Sequence, residues 1–225
     1  MQTEEYSLRE KRTARLKVAL MQTFIEKLKS SRFDDVSIRE VCRAAEVGET
    51  TFYNHFPDKI DVIGYYLQIA TRNVIARAVR KTPKGKMIPL INGVFSLIAA
   101  EFGNANMLYQ IISVFLMHKE MPRKVEISSF EVKLAFPDYV DIDSDEMRSA
   151  YIDEFFAKAA ACAIKNGELL PKTKVEDVVV TLMTILSGTP IAVKFGDEGS
   201  RGYHYKRQLR AFWADITGKE NGDAL

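Results

Sequence analysis

The stretch SIREVCRAAEVGETTFYNHFPDK, residues 37–59, decides how this chain folds. Ser37-Ile38-Arg39-Glu40 has the pattern of a capping box, in which the serine oxygen satisfies the third helical N–H and the glutamate reaches back to the serine N–H. A helix of two to three turns is therefore expected from Ser37, with Val41, Ala44 and Ala45 as a narrow apolar face that lets another helix approach closely. Gly48 interrupts the pattern after Val47. A second short segment then runs from Thr50 to Phe56, with Phe52 and Phe56 four apart on one side and Thr51, Tyr53, Asn54 and His55 elsewhere. Pro57 ends it, because proline cannot continue a helix. Two short helices across a tight turn result, the second with a hydrogen-bonding outer face.

Outward from this core the pattern stays helical. Upstream, Val18, Met21, Ile25 and Leu28 recur at steps of three and four between Arg9 and Lys29, widened by Leu20 and Phe24. The leading turns carry Arg9, Lys11, Arg12, Arg15 and Lys17 against Glu10, either a solvated helix end or a face for an anionic partner. Downstream, Asp58 can cap a long helix whose apolar positions Ile60, Ile63, Leu67, Val74 and Ile75 lead to Lys81. Further helices are predicted at about 87–102, 105–118, 143–166, 174–195 and 200–217, punctuated by Gly103, Gly167, Pro171, Gly196 and Gly199. Between Pro122 and Pro137 the residues Val125, Ile127, Phe130, Val132 and Leu134 nearly alternate, but an isolated strand would have no partner, so 120–142 reads as a helix or irregular lid. The predicted class is all-α, divided into residues 1–57 and a larger helical domain, 58–225.

At 225 residues and 47% hydrophobic, the chain can bury a core without staples. The 32 Lys+Arg against 30 Asp+Glu leave a formal +2, too small a surplus to announce a nucleic-acid partner by itself. Cys42 and Cys162 stand far apart in apolar helical stretches and read as small buried residues, so neither disulfide nor metal site is expected. Met1–Glu10 lacks an apolar signal core, and no apolar run is read as a membrane span, so a cytoplasmic protein with no membrane partner is expected. An enzyme is disfavoured: there is no metal-spaced His/Cys cluster, glycine-rich phosphate loop or nucleophile motif, only three histidines (His55, His118 and His204), and no cofactor is expected. A helical adaptor that keeps the two-helix shape without binding nucleic acid is the stronger rival, prompted by Glu46, Glu49 and the thin net charge.

A short helix, a tight turn and a second short helix with a polar free face fits a DNA major groove, about 12 Å wide. The run Ser37–Val41, Ala44–Gly48 and Thr51–Lys59 resembles the DNA-binding signature of the TetR family in order and spacing, over roughly residues 9–65. That resemblance implies an operator-binding regulator, by family habit a repressor, acting on double-stranded DNA. It implies that Ser37 meets a phosphate at a helix N-terminus and that Arg39 reaches a base edge. It further implies that Thr51, Tyr53 and His55 contact phosphates, that Glu49, Thr50 and Asn54 face the groove, and that Lys59 holds a phosphate from the next helix. Three positions depart from the family pattern: Glu46 replaces a usual glycine, Gly48 a common capping serine and Thr50 a common small glycine. Glutamate is strained at positive φ, so that conformation is expected at Gly48, or else the turn takes another form.

Two such units address successive major grooves when held about 34–36 Å apart, which a two-fold homodimer on a palindromic operator supplies. The expected interface is Val178, Leu182 and Ile185 with Leu209, Phe212 and Trp213; the alternative is that these pack inside one subunit. Phe95, Phe102, Tyr109, Phe115, His118, Tyr151, Phe155 and Met183 form the candidate lining of a cavity for an unidentified, partly apolar small-molecule effector, or simply core. A histidine at a helix end such as His118 is as readily a cap. Coupling to DNA would run through the helix from Asp58 to Lys81.

Overall fold

The computed structural model describes residues 6–101, 105–119, 121–142, 149–195 and 200–217. The described residues form α1 (Leu8–Leu28), α2 (Ile38–Ala44), α3 (Glu49–His55), α4 (Lys59–Lys81), α5 (Met87–Glu101), α6 (Ala105–Met117), α7 (Ser129–Ala135), α8 (Ile152–Lys165), α9 (Val175–Lys194) and α10 (Arg201–Thr217), with no strand among them. The helix expected from 143 starts only at Ile152: residues 149–151 are not helical, and 143–148 lie outside the described residues.

The chain divides into two compact units. One runs to Asn73 and takes in Asn106–Val140; the other comprises Val74–Ala105 and the chain from Asp141. The division falls inside α4 rather than at the expected 57/58, and α6 and α7 group with the short helices.

In the first unit, α1 packs on α2 and α7, and α2 on α3. Its core is aromatic: Phe24, Phe33, Phe52, Phe56 and Tyr65 are all buried, with Phe56 5.7 Å from Phe52 and 5.4 Å from Tyr65 between ring centroids. α7 has a full capping box, Ser128 Oγ accepting from the Glu131 N–H at 3.2 Å and Glu131 accepting from the Ser128 N–H at 2.8 Å. The same carboxylate accepts from Lys17 Nζ of α1 at 2.8 Å and Tyr65 Oη of α4 at 2.7 Å. Residues 121–128 form no helix or strand and are held by α4 side chains rather than by a sheet. Asp61 accepts from the Arg123 N–H, Gln68 from the Val125 N–H, and Arg72 donates to the Ile127 carbonyl. The near-alternation in the sequence therefore does not mark a strand: Phe130, Val132 and Leu134 lie in α7, and Val125 and Ile127 lie in the non-helical segment whose backbone a row of polar groups on α4 satisfies.

In the second unit, α5, α8, α9 and α10 close a ring in which each packs on two neighbours. Phe95 stacks on Phe156 at 5.5 Å and meets Tyr205 edge-on at 5.1 Å. Ala159, Ala160 and Ala163 are fully buried and let α8 approach its neighbours closely. Trp213 Nε1 donates to Asn92 Oδ1 at 2.8 Å, so the buried indole leaves no unpaired donor. Of the expected interface residues, Val178, Leu182, Ile185, Leu209 and Trp213 are buried within this unit, which commits their side chains to its core, while Phe212 is half-buried. Against the expectation of no membrane-length apolar run, α9 is by length and composition apolar enough to span a membrane, with 28% of its apolar window buried within the protein.

Candidate nucleic-acid interface

Ser37 caps α2, its Oγ accepting from the Glu40 N–H at 3.3 Å. Only this half of the expected capping box forms, because the Glu40 carboxylate instead accepts from Lys27 Nζ of α1 at 2.7 Å. That ion pair holds Glu40 below the usual carboxylate range and leaves Arg39 and Arg43, four residues apart, as the exposed cations of α2. Arg43 escaped the sequence reading, although the i, i+4 spacing from Arg39 was available to find it.

The turn after α2 is a Schellman motif. The Val47 N–H donates to the Cys42 carbonyl at 3.0 Å and the Glu46 N–H to the Arg43 carbonyl at 3.2 Å. Glu46 itself takes the positive φ, +55°, whereas Gly48 has φ −81° and ψ 155° and serves as the N-cap of α3. The expected transfer of the strained conformation to Gly48 does not occur: the motif places it one residue past the Ala45 C-cap, whatever the side chain there.

α3 makes two turns with a sharp division of faces. Phe52 and Phe56 are buried, Thr51 and His55 half-buried, and Glu49, Thr50, Tyr53 and Asn54 exposed. The exposed four, spaced i, i+1, i+4 and i+5, form one contiguous polar strip. His55 closes the helix, its pKa pushed below the ordinary imidazole value by burial and then by the Lys17 charge. α4 begins with a reciprocal cap: Asp58 Oδ1 accepts from the Ile60 N–H and Asp61 Oδ2 from the Asp58 N–H, each at 3.0 Å.

Lys59 is half-buried at this start. Its Nζ donates to the Asp34 carbonyl at 3.0 Å and lies 4.8 Å from the Phe33 ring centroid, so it ties α4 to the loop after α1. An ammonium has three donors, and two remain after the Asp34 bond. Burial lowers its pKa, partly offset by Asp34 and Asp35. All nine candidate DNA-contacting residues therefore fall on α2, α3 or their flanking caps and the first residue of α4, none of them buried in the core.

The candidate effector residues are divided between the two units. Tyr109, Phe115 and His118 belong to the first unit and Phe95, Tyr151, Phe155 and Met183 to the second, while Phe102 lies outside the described residues. His118 Nδ1 lies 3.1 Å from the Val114 carbonyl and its ring meets Phe33 edge-on at 5.3 Å, the geometry of a helix cap rather than a cavity wall. Phe155 is fully buried core. Among the described residues no group of three or more His, Cys, Asp or Glu could hold a metal ion.

Residues 33–65 match the model of the bacterial regulatory proteins of the tetR family, a span that contains α2, α3 and the start of α4. No curated protein matches the sequence. Among solved structures, a protein assigned to the TetR-family transcriptional regulators from Rhodococcus sp. aligns with a TM-score of 0.62 at 12% identity, over 88% of this chain and 96% of that one. That likeness establishes the fold. A gamma-butyrolactone receptor described as ArpA-like aligns with a TM-score of 0.47 at 15% identity, over 91% of this chain and 87% of that one. A TetR-family transcriptional regulator from Chloroflexus aurantiacus J-10-FL aligns at 0.40 and 15%, over 93% and 87%.

Proposed function

We infer that the chain is a TetR-family transcriptional regulator that binds double-stranded operator DNA through α2 and α3. The observation that carries this is the strip Glu49, Thr50, Tyr53 and Asn54 on a two-turn helix whose opposite face is anchored by buried Phe52 and Phe56. Such a helix can enter a major groove with Glu49, Thr50 and Asn54 at base edges and Tyr53 beside the backbone. Arg39 is the base reader of α2, since guanidinium pairs bidentately with guanine O6 and N7. Ser37, Thr51, Tyr53, His55 and Lys59 set register on the phosphates, with Arg43 added to them.

The regulator acts as a homodimer on a palindromic operator, in the cytoplasm, as a repressor released by a small molecule. Its interface lies on the faces of α9 and α10 that their own unit leaves uncovered, not on the residues the unit buries. On α9, Val180, Thr184, Ser187 and Ile191 are exposed at steps of four and three; on α10, Tyr203, Arg207 and Ala211 are exposed at steps of four. Two adjacent open helix faces that mix apolar side chains (Val180, Ile191, Tyr203, Ala211) with small polar ones are what a two-fold four-helix contact covers.

Selection of operator sites from random DNA, followed by gel shift at two salt concentrations, tests the reading. A palindromic site bound with a steep salt slope is expected; binding that is absent, or insensitive to both salt and sequence, would leave a helical adaptor instead.

A further inference from the structure

A groove of about 680 Å³ runs between α5 and α10 within the second unit. Its floor is apolar and buried, formed by Phe95, Leu209 and Trp213. Its rim carries three exposed cations, Lys86 before α5 and Lys206 with Arg210 one turn apart on α10. The one acid in the lining, Glu168, is already engaged, accepting from the Met87 N–H at 2.8 Å and the Ile88 N–H at 3.1 Å, where it caps α5.

We propose that this groove binds an amphipathic carboxylate, an aliphatic or aromatic body with one terminal acid. The volume falls within the roughly 300–1,000 Å³ of sites that enclose small ligands. An apolar body stacks on that floor and removes the accessible apolar lining, exposed Pro89 and half-buried Ile88, from water, and the carboxylate meets Arg210, whose planar guanidinium can hold it with two parallel hydrogen bonds, beside Lys206. A neutral ligand of the same shape forgoes the rim; a small hydrophilic anion forgoes the floor. Most of the residues singled out from sequence as an effector cavity take no part, Phe95 alone being shared. Binding here is independent of whether α3 reads DNA, so the two readings fail separately.

Trp213 is the chain's single tryptophan, so its emission reports on the groove floor without labelling. Decanoate, titrated below its micelle concentration into the full-length protein without DNA, should change that emission saturably, with calorimetry giving the same midpoint. Decan-1-ol should bind at least tenfold more weakly. The double variant Lys206→Ala/Arg210→Ala, both positions exposed, should keep the unliganded emission and bind decanoate about tenfold more weakly, roughly threefold for each exposed cation removed. Non-saturable decanoate binding, equal binding of the alcohol, or undiminished binding by the double variant would each overturn the proposal.

Discussion

The Glu131 carboxylate accepts a 2.8 Å hydrogen bond from Lys17, whose ammonium also sits 4.4 Å from the ring centroid of Tyr65, itself a second donor to Glu131. One acid from α7 thereby joins α1 to α4 around a largely buried charge. Burial alone would raise its pKa, but Lys17, the Ser128 N–H and Tyr65 together hold it below the ordinary carboxylate value. Glu131→Ala leaves Lys17 and the Tyr65 hydroxyl without their partner and should cost about 2–4 kcal/mol in urea unfolding. Because the folded pKa is the lower one, the stabilisation is present above the unfolded value of about 4.3 and fades as pH falls below it. Glu131→Gln should flatten that acid limb. A loss below about 0.5 kcal/mol in the alanine variant, within the range of an ordinary surface change, would contradict the role.

Glu46 offers a stabilising prediction. The Schellman turn after α8 uses Gly167 at φ +72°, whereas the turn after α2 puts a glutamate at φ +55° in the same place. A left-handed L-residue costs about 1–2 kcal/mol, so Glu46→Gly should gain up to about 1 kcal/mol after the added freedom of the unfolded chain. Gly48→Ser should add a few tenths, since its φ is negative, a Cβ there meets nothing within 4 Å, and serine would cap α3. Chemical denaturation of both variants measures this; a destabilised Glu46→Gly would mean that the glutamate side chain has a compensating partner.

These two sites mark where the sequence could and could not be read. Periodicity located most of the helices because core faces repeat every three or four residues, and Ser128-Ser129-Phe130-Glu131 carried a capping signature for α7 that the flanking alternation obscured. The strap at 121–128 was illegible because its partners, Asp61, Gln68 and Arg72, lie some sixty residues earlier and pair with backbone, which leaves no pattern. Periodicity also cannot tell core from interface: Val178 and Val180 are equally apolar, yet one is buried and the other 65% exposed. For the DNA face, the strip on α3 was legible as polar residues off the Phe52–Phe56 side, but the diversion of Glu40 to Lys27 depends on how α1 and α2 meet.

Arg39 and Lys59 should separate in their effects on DNA. Arg39→Ala removes an exposed side chain and should relax preference at one base position by about 1–3 kcal/mol while leaving unfolding unchanged. Lys59→Ala should weaken all sequences alike and lower the salt slope by about 1, and it should also reduce stability because Asp34 and Phe33 lose their contact. Equal loss of discrimination in both variants would remove the division between reader and positioner.

On the proposed reading, the uncovered face of α9 carries the dimer. Ile191→Arg places a charge on that stripe without disturbing buried Thr189 or Pro190, so the secondary structure should persist while sedimentation shifts to the monomer. Operator affinity should fall by at least tenfold, since half-site binding loses the second recognition helix. An unchanged dimer would place the interface elsewhere.

His55 ties DNA affinity to pH. Its folded pKa lies below the ordinary value of about 6.5, through burial and the nearby Lys17 charge, so in the free protein it is mostly neutral at pH 7. A phosphate beside the imidazole favours the charged form and raises that pKa in the complex. The complex then takes up a proton over a window reaching from the depressed free value up to the complex value, and affinity must rise as pH falls through it. Fluorescence anisotropy with labelled operator between pH 8 and 5.5 should show this tightening. Stability runs the other way: the depressed pKa means that the unfolded chain binds the proton more readily, so the free protein weakens below about pH 6.5 while its complex gains. His55→Asn keeps a hydrogen-bond donor and removes the charge change; it should leave binding at pH 8 within about threefold and abolish the acid-side gain. If the variant retains the full pH dependence, His55 does not face a phosphate, and its low pKa reflects only its burial and the nearby Lys17 charge.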